Sequence, residues 1–445
     1  MTESSSFLRL LTSVRMLFSA RRVFLVSLSL LIFIIGAGAA FLSAAEDTRP
    51  YRFIRDNIYL VGKRFLDTGM LAPAGLIETA SPFAPAENIR ATPEASGYRI
   101  VVAFDKKENL FLARLFDARG AVIRVWRIGD RRLSQTGWPK ALFRPHGAAI
   151  APDGRLFINS DADEALVAYD RCSQELWRRA DVFHHQLTID ENGDLWSWRG
   201  KGRQISFDQF IERIDADTGM TLESISLIDD VVKPLARNRL ILGLPETFDR
   251  NDKSFRNLAA DVFHPNDVEP LPSAIADAFP QFAVGDLLVS FRNQNLVAVI
   301  DRKSKEIIWS RHGPWVRQHD PDFLPTGEIS VFDNQHSDSP RPTTFRRRSR
   351  LIAVDPKTDE LRSVLPQSTP PFYTPEMGAH QQYDDGRVLI VAAEEGRVLE
   401  IDLKSTKTLF EFNNRIDRRH SANVPMAIHL PEDFFDEKPE NWTCP

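Results

Sequence analysis

The chain has 445 residues, 43% hydrophobic and 26% charged, the ordinary balance of a globular protein. Its formal net charge of −5 leaves no basic footprint and argues against general nucleic-acid binding. Thirty phenylalanines and 28 prolines suit a chain of many short strands and turns.

Residues 1–22 end in a basic cluster, Arg15, Arg21 and Arg22. Residues 23–42, VFLVSLSLLIFIIGAGAAFL, carry no charge. A helix of that length, at about 1.5 Å per residue, spans roughly the 30 Å hydrocarbon core of a bilayer. A single N-terminal transmembrane helix is therefore predicted. Glu46 and Asp47 follow it, so the positive-inside rule puts residues 1–22 in the cytoplasm and the rest in the periplasm or extracellular space. Ser43-Ala44-Ala45 would suit a signal peptidase. The apolar run is longer than a signal-peptide core of roughly 7–15 residues, which favours an uncleaved membrane anchor. Residues 43–96 read as a juxtamembrane helix, RFIRDNIYLVGKRFLDTGML, followed by a Pro/Ala-rich linker, a stalk or packing arm.

From residue 97 to 430 the chain repeats. Six segments share one ending: an alternating apolar strand, an aspartate, a turn and another strand. The aspartates are Asp117, Asp170, Asp215, Asp301, Asp355 and Asp402. Most are 45–54 residues apart, and one gap of 86 implies an insertion. A carboxylate at this place can accept from the backbone N–H groups of the turn that follows. Hairpins recurring every 40–50 or so residues are the mark of a propeller. The predicted fold is all-β, a six-bladed β-propeller with each unit one four-stranded blade around a channel. The insertion near 230–262 and the tail, residues 431–445, are expected to cap the propeller or cover its mouth. Arg346-Arg347-Arg348 and Arg350 lie in a Pro-rich loop, either solvated or an anion-attracting rim. Cys172 and Cys444 either pair or stay free.

The first half of the unit recurs too, led by His146, His185, His264, His319 and His380. In three units a glycine follows the histidine by eight residues: Gly154, Gly193 and Gly327. Equivalent positions at the starts of innermost strands converge near a propeller axis, so these imidazoles are candidates for one central site. His146 and His380 are read first as parts of the structural repeat.

With these motifs in view, the chain resembles the bacterial arylsulfate sulfotransferases, six-bladed propeller enzymes that need no nucleotide sulfate donor. The likeness is strongest in HPNDVEPLP, GDLLVSFRNQN and QHDPDFLPTGEISVFDN. It implies transfer of a sulfuryl group from a phenolic sulfate ester to a phenolic acceptor, by a ping-pong route through a sulfohistidine and with no cofactor. His319 matches the histidine that takes the sulfuryl group, and Arg292 and Asn266 match binders of the sulfate oxygens. His264 and His185 are the candidates for the proton-transferring imidazole, and His184, beside the latter, is a candidate substrate-binding residue. The partners implied are a small aryl sulfate donor and a phenolic acceptor; no nucleic acid is expected, and a homodimer is left open.

The chemistry stands by itself. A guanidinium suits a sulfate monoanion. A neutral imidazole is a nucleophile, and a second one can protonate a leaving phenolate. Asp267 and Asp320 add negative charge near this site; Asp267 could instead pair with Arg292, and either aspartate could orient an imidazole. The other readings are a membrane-tethered, non-catalytic binding propeller, a quinoprotein-like dehydrogenase and, with no tight metal-ligand motif in its favour, a metal-dependent hydrolase.

Overall fold

The computed structural model describes residues 76–444, except Pro82, Ala86, 130–143, 161–163, 201–208, 245–261, 337–347 and Asp384, together with five residues between Ser27 and Phe33. The chain divides into two compact units, residues 1–65 and 66–445. Among the described residues no helix is long and apolar enough to cross a membrane. All but five residues of the expected 23–42 helix, and the whole expected juxtamembrane helix, lie outside the described residues.

In the second unit the described residues form six antiparallel sheets of four or five strands, the expected six-bladed propeller. The innermost strands of blades 1 to 6 are Met426–Leu430, Gly147–Ile150, Phe183–Ile189, Pro265–Pro270, His319–Phe323 and Ala379–Gln382. Blade 1 closes the ring. Its strands Tyr98–Asp105, Leu110–Phe116 and Val122–Ile128 come from early in the chain, and its innermost strand comes from the end.

Sequence pattern follows position in the blade. Middle strands such as Leu296–Ile300 are sandwiched between neighbouring blades and are apolar and buried throughout. Outer strands meet water on one face and mix exposed with covered residues, as Glu175–Ala180 does. The six aspartates sit at the hairpin between the third and fourth strands. Asp170 Oδ1, for example, accepts from the N–H groups of Cys172 (2.8 Å) and Gln174 (2.7 Å). Gly154, Gly193 and Gly327 all have φ between 83° and 86°, a left-handed turn conformation open to glycine at little cost. Indole N–H groups join successive blades: Trp126 donates to the Asp170 carbonyl (2.8 Å), Trp177 to Ala216 (3.1 Å) and Trp198 to Asp267 (2.7 Å).

Three peripheral expectations are resolved. Part of the region read as a linker is strand: Ile89–Ala91 adds a fifth strand to blade 6, and Ile77–Thr79 pairs with His420–Ala422. The gain is a covered sheet edge, with Arg90 reaching Glu411 at 3.0 Å. The described part of the insertion does not cover the channel. Its helix Ala236–Ile241 lies on the outer strand of blade 4, where Asn238 Oδ1 accepts from the Ile307 N–H at 2.9 Å. The tail does two things. Pro431 and Phe434 border one end of the channel, and the rest clamps blades 1 and 2 together. There Cys172 and Cys444 form a disulfide, and Trp442 packs edge-on against Trp126 and Phe435.

Candidate functional site

Three innermost strands begin with a break in register: between His184 and Leu187, between Pro265 and Asp267, and between His319 and Asp322. A bulge inserts a residue and re-aims its side chain. His185, His264 and Asp320 all take left-handed backbone conformations here, with φ of 61°, 46° and 50°. Residues with a Cβ adopt that region at a cost of order 1–3 kcal/mol, and such strain gathers at functional sites. Blade 2 makes room for the distortion. A Cβ on Gly147 would stand 2.1 Å from the His185 carbonyl oxygen, so only glycine fits.

The result is a cluster of imidazoles on the channel. The His185 ring lies 4.0 Å from that of His146, 4.7 Å from His264 and 6.4 Å from His319, centroid to centroid. His185 Nε2 is 3.0 Å from His264 Nε2, and His185 Nδ1 is 2.7 Å from His184 Nδ1. His184 Nε2 in turn meets Gln209 Oε1 at 2.8 Å. His184 is therefore a rear support for His185, one step behind the cavity. Burial, then the neighbouring rings of His146 and His264, hold His185 well below the usual imidazole range.

His319 Nδ1 lies 2.8 Å from Asn334 Oδ1. Burial, and next the Arg292 guanidinium, lower its basicity strongly. The Arg292 N–H donates to the His264 carbonyl at 3.1 Å, so the short turn that carries Arg292 also braces His264. Asn266 Nδ2 donates to the Gln318 carbonyl at 2.8 Å. Its Oδ1 is buried, has no hydrogen-bond partner among the described residues, and belongs to a side chain lining the same cavity as His146, His185 and His319. His319, His264, His185, Asn266 and Arg292 thus converge from three blades.

One expectation changes and one is met. Arg292 does not pair with Asp267; its Nη2 lies 3.3 Å from Glu376 Oε1, and Asp267 turns into a different chamber. Asp320 does orient an imidazole, that of His380 and not that of His319. Its Oδ2 lies 3.0 Å from His380 Nδ1 and also accepts the His380 backbone N–H. Consecutive side chains of a strand face opposite ways, so Asp267 turns from the cavity that Asn266 lines, and Asp320, next to His319, reaches His380.

His380 therefore belongs to a second chamber of about 680 Å³ farther along the channel, lined by Asp267, Glu269, Asp320 and Asp322 among others. Burial raises Asp267 and Asp322 well above the carboxylate range, with neighbouring carboxylates adding to it. Burial likewise pushes Glu269 up to about 8.

Sequence reasoning passed over Asn334, Gln209 and Glu376, and read His146 first as part of the structural repeat. His146 carried a signal, its place in the histidine repeat. Glu376 carried none, because it sits in an irregular segment between blades 5 and 6.

A model of the arylsulfotransferase (ASST) family matches residues 147–415. No curated protein matches the chain. Similar solved structures include a protein of unknown function from Bacteroides caccae, at 11% identity and a TM-score of 0.47, covering 75% of this chain and 98% of that one. Virginiamycin B lyase from Staphylococcus aureus aligns at 12% identity and 0.33, covering 62% and 72%. TolB from Acinetobacter baumannii aligns at 9% identity and 0.40, covering 76% and 67%. The family match spans blades 2 to 6 and more than half of the sequence, and the chain belongs to the arylsulfotransferase (ASST) family.

Proposed function

We propose that the protein transfers a sulfuryl group from a phenolic sulfate ester to a phenolic acceptor, with His319 as the nucleophile. Family membership supports a sulfotransferase in general; the finer reading rests on the site. The observation that carries it is the orientation of Asn334. Its Nδ2 donates to the carbonyls of Thr374 (3.0 Å) and Met377 (2.7 Å), so its Oδ1 must face His319. An amide oxygen only accepts. His319 Nδ1 therefore carries the proton, and Nε2 holds the lone pair. Burial keeps the ring neutral, the state that can attack.

In the first half-reaction Nε2 attacks sulfur. The N–S bond forms, the bond from sulfur to the phenolic oxygen breaks, and its electron pair leaves with the phenolate. The sulfonated ring keeps its Nδ1–H, now more acidic and bonded to Asn334. The His185–His264 pair enters this step carrying one extra proton, gives it to the phenolate and is left neutral. In the second half-reaction that pair takes the acceptor's proton. The acceptor oxygen attacks sulfur, the N–S bond breaks, and neutral His319 returns. Arg292 and the second Nδ2–H of Asn266 would meet the sulfuryl oxygens as they gather charge. The uncharged run at 23–42 supports a membrane anchor, with the propeller in the periplasm or extracellular space.

The test uses the purified full-length chain, p-nitrophenyl sulfate as donor and phenol as acceptor. Nitrophenolate release should depend on phenol and vanish in a folded His319→Asn variant. Donor alone should leave one SO3 group on His319, seen by peptide mass analysis. Phenol-dependent release that persists in His319→Asn would overturn the assignment.

A further inference from the structure

The second chamber asks for a ligand of its own. Among the described residues six carboxylate side chains line it, and no lysine or arginine does. Within it Asp320, Asp322 and His380 each offer one ligand atom within 4.8 Å of the others. The imidazole is set for the task. His380 Nδ1 lies 3.0 Å from Asp320 Oδ2, and a carboxylate can only accept, so Nδ1 carries a proton. In the neutral ring Nε2 then holds the lone pair, with Ser330 Oγ at 2.7 Å and Asp322 Oδ2 at 3.4 Å. A carboxylate on the far nitrogen is how metal-bound histidines are commonly held in one tautomer.

Asp267 points to a ligand independently. It is 2% exposed and lines the same chamber, and no side chain among the described residues donates a hydrogen bond to it. Glu269, from the same strand, accepts only a backbone N–H, that of Phe323 at 3.2 Å. Several carboxylates facing one another in a covered space repel, and no protein cation answers them.

We propose that this chamber binds one divalent metal ion through His380 Nε2, Asp322 and Asp267, held directly or through water, with Asp320 fixing the imidazole from Nδ1. Oxygen-rich coordination with a single imidazole fits Mn²⁺ or Ca²⁺. Through His380 the ion would fix Asp320 in its left-handed conformation beside His319. The inference does not rest on the sulfotransfer reading, and its test needs no activity assay.

Chelator-treated full-length protein is titrated with MnCl2 and, separately, CaCl2 by calorimetry. Saturable binding of one ion is expected with at least one of the two. Asp322→Asn and Asp267→Asn should each weaken it at least tenfold, whereas Asp153→Asn, on an exposed turn, should not. Thermal melting shows whether each variant is folded. Hyperfine coupling from an imidazole nitrogen to bound Mn²⁺ should be present in the wild type and absent in His380→Gln. No saturable binding of either ion, or binding that both Asp variants leave unchanged, overturns the proposal.

Discussion

Asn334 joins His319 to the segment beside it: its Oδ1 lies 2.8 Å from His319 Nδ1, while its Nδ2 holds the carbonyls of Thr374 and Met377. One amide thus sets both the tautomer of the nucleophile and the position of the neighbouring loop. Asn334→Ala should leave the propeller folded but release the ring to the wrong tautomer. Removing one partner of a buried neutral hydrogen bond leaves the other unsatisfied at a cost of about 1–3 kcal/mol, so kcat should fall roughly 5- to 150-fold. Stopped-flow release from p-nitrophenyl sulfate measures it. A variant with unchanged kcat would mean that His319 holds its tautomer without Asn334.

The chain from Gln209 through His184 and His185 to His264 implies a second outcome. Gln209 Oε1 accepts from His184 Nε2, leaving His184 Nδ1 to accept from His185 Nδ1. His185 Nε2 then accepts from His264 Nε2. The His264 Nε2–H is thus committed to His185, so the extra proton that the pair delivers to the phenolate is carried on His264 Nδ1 and returns there from the acceptor. Loss of a general acid hurts poor leaving groups most. His264→Gln should steepen the dependence of rate on leaving-group pKa: a nitrophenyl donor loses little, and a phenyl or alkylphenyl donor loses on the order of 10²-fold or more. Equal losses across a donor series would instead assign His264 a purely structural part.

Glu376 competes for the cation that the substrate needs. Its carboxylate pairs with Arg292 at 3.3 Å, and at 61% side-chain exposure it can swing away cheaply. Ion pairs this exposed contribute about 0.2–1 kcal/mol. Glu376→Gln removes the competitor but keeps the shape, so KM for aryl sulfates should fall about two- to fivefold with kcat nearly unchanged. Steady-state kinetics at two salt concentrations decides it. A raised KM would show that Glu376 positions Arg292 instead of opposing it.

What the sequence disclosed and what it hid divide along physical lines. The hairpin aspartates are local devices: Asp117, Asp215 and Asp301 each accept from N–H groups two to four residues on, so their spacing betrays the blades. The imidazoles were legible because a repeat carries equivalent positions to one axis. The contacts that set their chemistry were not. Asn334 meets Thr374 and Met377 from 40 and 43 residues away, and the Glu376–Arg292 pair spans 84. Neither belongs to the repeat. The side of the inner strand that Asp267 and Asp320 face was equally hidden, because one bulge reverses an alternation that the sequence shows only as period two. The Cys172–Cys444 bridge, 272 residues apart, could be posed from composition but not decided.

The last prediction concerns acid stability. His429, on the innermost strand of blade 1, is lowered to about 4, first by burial and then by the guanidinium groups of Arg99 and Arg387, against the Ser96 carbonyl and Asp385, which raise it. Its Nε2–H donates to Ser96 at 3.0 Å, and its ring lies 4.3 Å from that of Tyr383. An unfolded histidine titrates near 6.5. Between about pH 6.5 and 4 the unfolded chain therefore binds a proton here that the folded chain refuses. Stability must then fall as pH falls through that window and level off, for this group, below it. At 1.36 kcal/mol per unit the loss approaches roughly 3 kcal/mol. His429→Gln should be less stable than wild type at pH 7.5, having lost a favourable contact, and the difference should shrink or reverse by pH 4.5. Urea melts at those two pH values test the sign. A gap between variant and wild type that stays constant would mean that His429 titrates alike in the folded and the unfolded chain.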